Sequence, residues 1–180
     1  MKKIILYFVL LCGISILAQD KYYTKSGEII FESSVPTFEE VKAKNDKVTA
    51  ILKDNGEIAA LALVKGFRFK IALMEEHFNE NYIESEKYSK ASFSGNISNF
   101  SIANLTTQNN SYQVKGKLNL HGVTKEILVT AEINKANEKI IFNSNFEVTP
   151  EDFNIEIPSI VRNKIAQKVA VSLRFEMQKK

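Results

Sequence analysis

Tyr112-Gln113-Val114-Lys115-Gly116-Lys117-Leu118-Asn119-Leu120-His121-Gly122-Val123-Thr124-Lys125-Glu126-Ile127-Leu128-Val129-Thr130-Ala131-Glu132-Ile133 is the stretch on which the fold turns. Val114, Leu118 and Leu120 alternate with polar residues before His121-Gly122, and Ile127, Val129, Ala131 and Ile133 do so after it. A period of two places every second side chain on one face, the signature of a half-buried strand. The segment His121-Gly122-Val123-Thr124 is short and contains a glycine, so it predicts a hairpin connection between two antiparallel strands.

The same period extends outward in both directions. Ile29 and Phe31 alternate with polar neighbours, as do Val48, Ala50 and Leu52. Asp54-Asn55-Gly56 predicts a second tight turn, followed by an apolar strand over 57–65. After Gly66, the residues Phe67, Phe69, Ile71 and Leu73 share one face of a predicted strand. Met74, Phe78 and Tyr82 then recur every four residues, which predicts about two turns of helix. Strands are expected again over 91–100 and 112–120, separated by an Asn-, Thr- and Ser-rich loop. Ile140, Phe142, Phe146 and Val148 continue the pattern, and Val169, Val171, Leu173, Phe175 and Met177 end it. Pro158 interrupts the apolar run 153–161, which favours a loop or an edge there. The expectation is an all-β fold, an antiparallel sandwich or barrel of eight to ten strands with one or two short helices.

Composition narrows the function. The chain has 180 residues, 44% apolar and 25% charged, with 12 Phe and a net charge of +3. These values suit one folded domain and are too weakly basic for a nucleic-acid surface. Residues 1–18 read as a secretory signal peptide: Lys2-Lys3, an apolar run from Ile4 to Leu17, and Ala18 before the cut. That run of about 14 residues is too short to span roughly 30 Å of hydrocarbon, so no membrane span is expected after cleavage. The domain is then 19–180, exported, with the periplasm the expected compartment and secretion an alternative. Cys12 leaves with the leader, so no thiol chemistry is expected in the mature protein.

Catalytic and metal signatures are sparse. His77 and His121 are the two histidines, too few for a zinc site without cysteine. The chain contains no G-x-S-x-G elbow, phosphate loop or G-x-G-x-x-G. Neither an enzyme nor a metal protein is expected. His121 at its turn is read as a hydrogen-bonding residue that orders the hairpin.

The stretch Tyr112 to Lys125 resembles the "V-x-G-x-L-x-L-H-G-V-T-K" hallmark of the YceI-like polyisoprenoid-binding family. His77-Phe78-Asn79 with Tyr88-Ser89-Lys90-Ala91-Ser92-Phe93, and Asp152-Phe153-Asn154-Ile155, are similar to two other segments of that family, in the same order. Ser89, Asn154 and Met74 depart from the family's usual Pro, Gly and Arg. The resemblance implies a lipocalin-like antiparallel β-barrel of about eight strands. Its lumen would hold a polyisoprenoid or similar amphiphile, a quinone or polyprenyl chain, with no other cofactor. The partner is thus an apolar lipid, and the protein is monomeric or a homodimer. The lumen is expected to be lined by Phe31, Phe67, Phe69, Ile71, Phe78 and Phe93, together with Ile97, Leu118, Leu120, Phe142, Phe146, Leu173 and Phe175. His77 is the candidate for the mouth or the headgroup. Alternation alone favours an interior filled by these side chains, a structural or interaction protein of the envelope without ligand, and the resemblance is what turns the reading to a lipid site.

Overall fold

The computed structural model describes residues 20–35 and 37–180. The leader expected at 1–18, with Cys12, lies outside the described residues. Among the described residues nine strands form: β1 (Lys21–Glu32), β2 (Lys42–Lys53), β3 (Glu57–Leu63), β4 (Arg68–Phe69), β5 (Lys90–Ile97), β6 (Asn110–Leu120), β7 (Val123–Ala136), β8 (Lys139–Val148) and β9 (Val169–Lys179). One short helix, α1 (Ala72–His77), continues into a single π-helical turn, Phe78–Tyr82. No helix among the described residues is long and apolar enough to cross a membrane.

The strands pair antiparallel in the order β1-β9-β8-β7-β6-β5-β3-β2, and β2 pairs back with β1. This closes an eight-stranded barrel and leaves no free edge in it. The short β4 adds to β2 through Ala43↔Phe69 and Lys44↔Arg68. The hairpin at 120–123 forms as read: Leu120 pairs with Val123, and His121 and Gly122 take φ of 50° and 75°. Positive φ at both positions gives the turn the twist of its flanking strands. Asn137 and Glu138 (φ 48° and 64°) make the equivalent turn between β7 and β8.

The segment 67–73 departs from its expected strand. Pairing with β2 stops after Phe69, and Ile71 already caps α1 in extended conformation. The Glu75 carboxylate accepts the Phe69 N–H at 3.1 Å and the Arg68 guanidinium at 2.7 Å, so α1 folds back onto the strand end and replaces the ladder. Asn154 also gains an explanation. It ends the 3-10 turn Pro150–Phe153 with φ 56°, ψ 32°, the left-handed region where Asn is the next-best residue after Gly.

The two ends of the barrel differ. The turns at 54–56 and 137–138 are tight at one end, where the 98–109 loop tucks Leu105 beneath the barrel. There Leu52, Ile97, Ile133, Ile140 and Met177 form a dry core. The opposite end carries the loops 33–41, 64–89 and 149–168 and the 121–122 turn. A second apolar cluster, Val64, Ile83, Phe153 and Ile155, holds the loops 64–89 and 149–168 together without filling the barrel beneath.

Candidate functional site

A cavity of about 520 Å³ occupies the upper half of the barrel and opens between the long loops. This lies within the usual range of small-molecule sites, about 300–1,000 Å³. One wall is a cluster of four phenylalanines. The Phe31 ring lies 5.2 Å from Phe67, 5.7 Å from Phe69 and 5.3 Å from Phe78, and Phe69 lies 5.2 Å from Phe78. These tilted and edge-on arrangements are the favoured ones for aromatic rings. They bring together β1, the 64–66 turn region, β4 and the helical segment, so the cluster fixes the loop 64–89 against the barrel. Phe142 and Phe175, stacked at 5.9 Å, form the floor above the dry core. Gly27 permits this, because a Cβ there would stand 2.6 Å from the Phe175 ring.

The facing wall is lined by small residues. Ala60, Ala62 and Ala91 line the cavity from β3 and β5. Gly95 and Gly116 are cross-strand partners, and the Phe93 ring lies over both. A Cβ would meet its Cζ at 2.8 Å from Gly95 and at 2.4 Å from Gly116. The glycines let the ring lie down along the sheet instead of crossing the lumen. Small side chains opposite large ones leave a void in a barrel of this size.

Few polar groups reach this space. Ser144 is buried, but its hydroxyl donates to the Thr130 carbonyl at 2.7 Å. The Ser33 hydroxyl donates to the Ala166 carbonyl at 3.1 Å. Both are satisfied by the barrel itself and add little polar demand to the lumen. His77, Glu39 and Lys164 border the opening and are exposed.

Of the thirteen side chains named for the lining, Phe31, Phe67, Phe69, Phe78, Phe93, Leu118, Leu120, Phe142, Phe146, Leu173 and Phe175 stand on the cavity wall, and His77 stands at the mouth. Two do not. Ile97 is fully buried in the dry core, since β5 has descended below the floor by that residue. Ile71 stands at the start of α1, where the strand parity that aligned it with Phe69 no longer applies. The cavity also uses residues not singled out from the sequence. Ile29, Val129 and Val171 were legible, each two residues from a named or alternating position. Ile155, Ile157 and Ile165 come from the 149–168 loop, where no strand period marks which side chains turn inward.

The motif segments meet at one place on the rim. His121 is 8% exposed. Its Nδ1–H donates to the Phe153 carbonyl at 3.0 Å, and its Nε2 faces Glu84 Oε2 at 2.8 Å. The Tyr88 ring stands edge-on to the imidazole at 4.3 Å and covers Gly122, where a Cβ would lie 2.6 Å from Tyr88 Cε1. Lys125 reaches Asp152 at 3.2 Å. His121 thus orders its hairpin and also clasps the loops 64–89 and 149–168. The polar residues of the motif segments tie the mouth together, while Leu118 and Leu120 of the same hallmark stretch stand on the apolar wall.

The carboxyl groups held below their ordinary range lie away from the cavity. The hydrogen bond from Lys53, reinforced by Asn55, holds the Glu57 carboxyl below the usual carboxylate range, and the one from Arg174 does so for Glu176. Both lie on the outer wall. No group of three His, Cys, Asp or Glu suited to a metal ion occurs among the described residues.

No curated protein sequence matches the chain. Solved structures do. A polyisoprenoid binding domain from Saccharophagus degradans, implicated in plant cell wall breakdown, aligns with a TM-score of 0.76 at 17% identity, over 89% of this chain and 98% of that one. BcnA of Burkholderia cenocepacia aligns at 0.69 and 14% identity, over 83% and 95%. The Campylobacter jejuni YCEI protein aligns at 0.53 and 14% identity, over 87% and 85%. At such identities the likeness is one of fold. The sequence itself matches the YceI-like domain over residues 24–177, which includes all the segments that meet around His121. The chain belongs to the YceI-like domain family.

Proposed function

We propose that the protein is an exported binding protein that holds a polyisoprenoid or similar amphiphilic lipid, such as a quinone with a prenyl tail, in the upper half of its barrel. The observation that carries this reading is the apolar cavity of about 520 Å³, closed below by Phe142 and Phe175 and open above. A long hydrocarbon chain asks for little more than this. Each buried methylene contributes on the order of 0.8 kcal/mol, so retention follows from burial without directed hydrogen bonds. The likeness to a polyisoprenoid binding domain supports the same ligand class. A filled barrel would need the inner faces to meet along the whole axis, and in the upper half they do not. Binding without chemical conversion is the reading the lining favours, since its polar side chains are tied to the barrel or stand at the rim.

The test is extraction of the purified protein for lipid mass spectrometry, followed by titration with a prenyl-tailed quinone. Ala60→Phe places a ring in the void from the small-residue wall. The expected result is a co-purifying apolar lipid, quinone binding by the wild type, and at least tenfold weaker binding by Ala60→Phe at nearly unchanged melting temperature. An empty protein that also ignores added quinone would sink the proposal.

A further inference from the structure

Exposed large apolar side chains carry meaning where they gather beside a site. Leu73 is 56% exposed and Ile160 81% exposed. Leu73 lies on α1 one turn before His77, which borders the cavity opening, while Glu75 on the opposite side of the helix is bound to β4. Leu73 therefore faces away from the barrel wall, on the side of the mouth. Ile160 precedes Val161, which lines the opening. The segments carrying these two residues pack on each other, Phe78, Tyr82 and Ile83 against Phe153, Ile155 and Ile157. They are also joined through His121. Neither Leu73 nor Ile160 lines the cavity. Each stands beside residues that border its opening, and together they make up its apolar lip.

Cations flank this lip. Lys70 stands three residues before Leu73, and Arg162 and Lys164 follow Ile160. None of the three forms an ion pair among the described residues, and Arg162 donates only to the Ile157 carbonyl. Acidic residues are present as well. Glu76 lies on α1, and Glu39 and Glu40 lie on the 33–41 loop, where Glu40 is 3.7 Å from Lys42. Glu39, Glu76 and Glu156 form no ion pair among the described residues either, so the mouth carries free charge of both signs, with Lys70, Arg162 and Lys164 available to anionic headgroups.

We infer that this lip docks on the surface of a lipid bilayer, with Leu73 and Ile160 entering the apolar boundary and Lys70, Arg162 and Lys164 meeting lipid phosphates. The inference rests on the reading of the cavity as a site for an apolar chain. Such a chain cannot leave through water without exposing its whole surface, whereas an opening set against hydrocarbon lets it pass while remaining buried. Apolar tips with long basic side chains beside them suit that boundary, because the stems lie in the apolar layer and the charges reach the headgroups.

The experiment is flotation of the full protein with vesicles of phosphatidylcholine, with and without about one-third phosphatidylglycerol. Alongside it, prenyl-quinone affinity is measured in solution and self-association by sedimentation. The wild type should float with both vesicles, more strongly with the anionic ones. Leu73→Ser/Ile160→Ser should reduce the bound fraction at least tenfold, with quinone affinity unchanged. Lys70→Gln/Arg162→Gln should remove the preference for anionic vesicles. Leu128→Ser provides the control, because Leu128 is 65% exposed on the outer face of β7, away from the mouth, and should float as the wild type does. Wild-type protein that ignores both vesicles, or a double variant that floats normally, would overturn the inference. So would equal loss in Leu128→Ser, or self-association that the double variant abolishes in the absence of vesicle binding. Flotation that depends on the lip while quinone fails to bind would support the docking face and remove the ligand reading instead.

Discussion

The lower and upper halves of this barrel are built from the same eight strands, yet one is dry and the other hollow. Along β5 and β6, Ile97 and Val114 meet below, whereas Gly95 and Gly116 face each other one step higher. Along β3, Ile58 is buried where the core meets the cavity, and Ala60 and Ala62 above it leave the void open. Below, branched side chains from all sides reach the axis and fill it. Above, alanine and glycine on one wall leave the phenylalanines opposite without partners across the lumen. Hollowness is therefore written in side-chain size along a strand, while the alternation that makes the strand stays the same. The loops follow the same division. Two of the three lower connections are tight turns, whereas three of the four upper ones are long, and two of these, 64–89 and 149–168, are packed on each other by their own apolar cluster.

The largest effect should come from truncating one residue in each half. Ile133→Ala removes a side chain with no exposed surface in the dry core, and should cost about 2–5 kcal/mol in urea denaturation. Leu173→Ala removes one that already borders the void. Fewer contacts are lost there, so the cost should be about 1 kcal/mol or less. Equal losses would mean that the upper half is filled in solution and would break the contrast.

The clasp on the mouth comes next. His121→Asn keeps a residue that tolerates positive φ and removes both imidazole contacts, leaving the Phe153 carbonyl without its donor. A buried unsatisfied carbonyl costs about 1–3 kcal/mol. Amide hydrogen exchange should accelerate over 84–88 and 150–155 while the lower strands remain protected. Uniform acceleration over the whole barrel would show that the two halves open as one unit.

The smallest effect concerns the charges outside the closed end. Arg174 donates to Glu176 at 2.8 Å, and Lys139 lies 3.4 Å away. Their hydrogen bonds lower the Glu176 pKa, that from Arg174 the most. A carboxyl with a lowered folded-state pKa stabilises the fold above its unfolded value, and that contribution is lost as pH falls through the folded value. Both partners are about half exposed, so solvent screening keeps the effect well under about 1 kcal/mol. Glu176→Gln should be slightly less stable than wild type near neutral pH and equal to it near pH 3. A large difference at neutral pH would show that surface pairing, and not burial, holds the closed end together.

Most of the architecture could be read from residue order. Period-two alternation marks β6 to β9 closely, because each of these strands has one face inside the barrel and the other in water. The turn at His121-Gly122 was legible since few residues accept positive φ. Most of the lining followed from parity. The exceptions lie where local pattern ceases to report surroundings. Ile71 has the parity of a strand that ends early, because a carboxylate from the next helix turn replaces its ladder. Ile97 has the right parity at the wrong depth. Ile155, Ile157 and Ile165 lie in a loop without period.

Alternation and turn chemistry are local, so the chain order was enough to settle that strands form, which of their faces turns inward, and where hairpins reverse. Depth along the barrel axis, the void bordered by Phe31 and by Ala60 and Ala62, and the meeting of His121 with Glu84 and Phe153 depend on residues distant in the chain. Those features came into being when β2 closed onto β1, because closure brings opposite walls face to face and lets their side-chain volumes be compared.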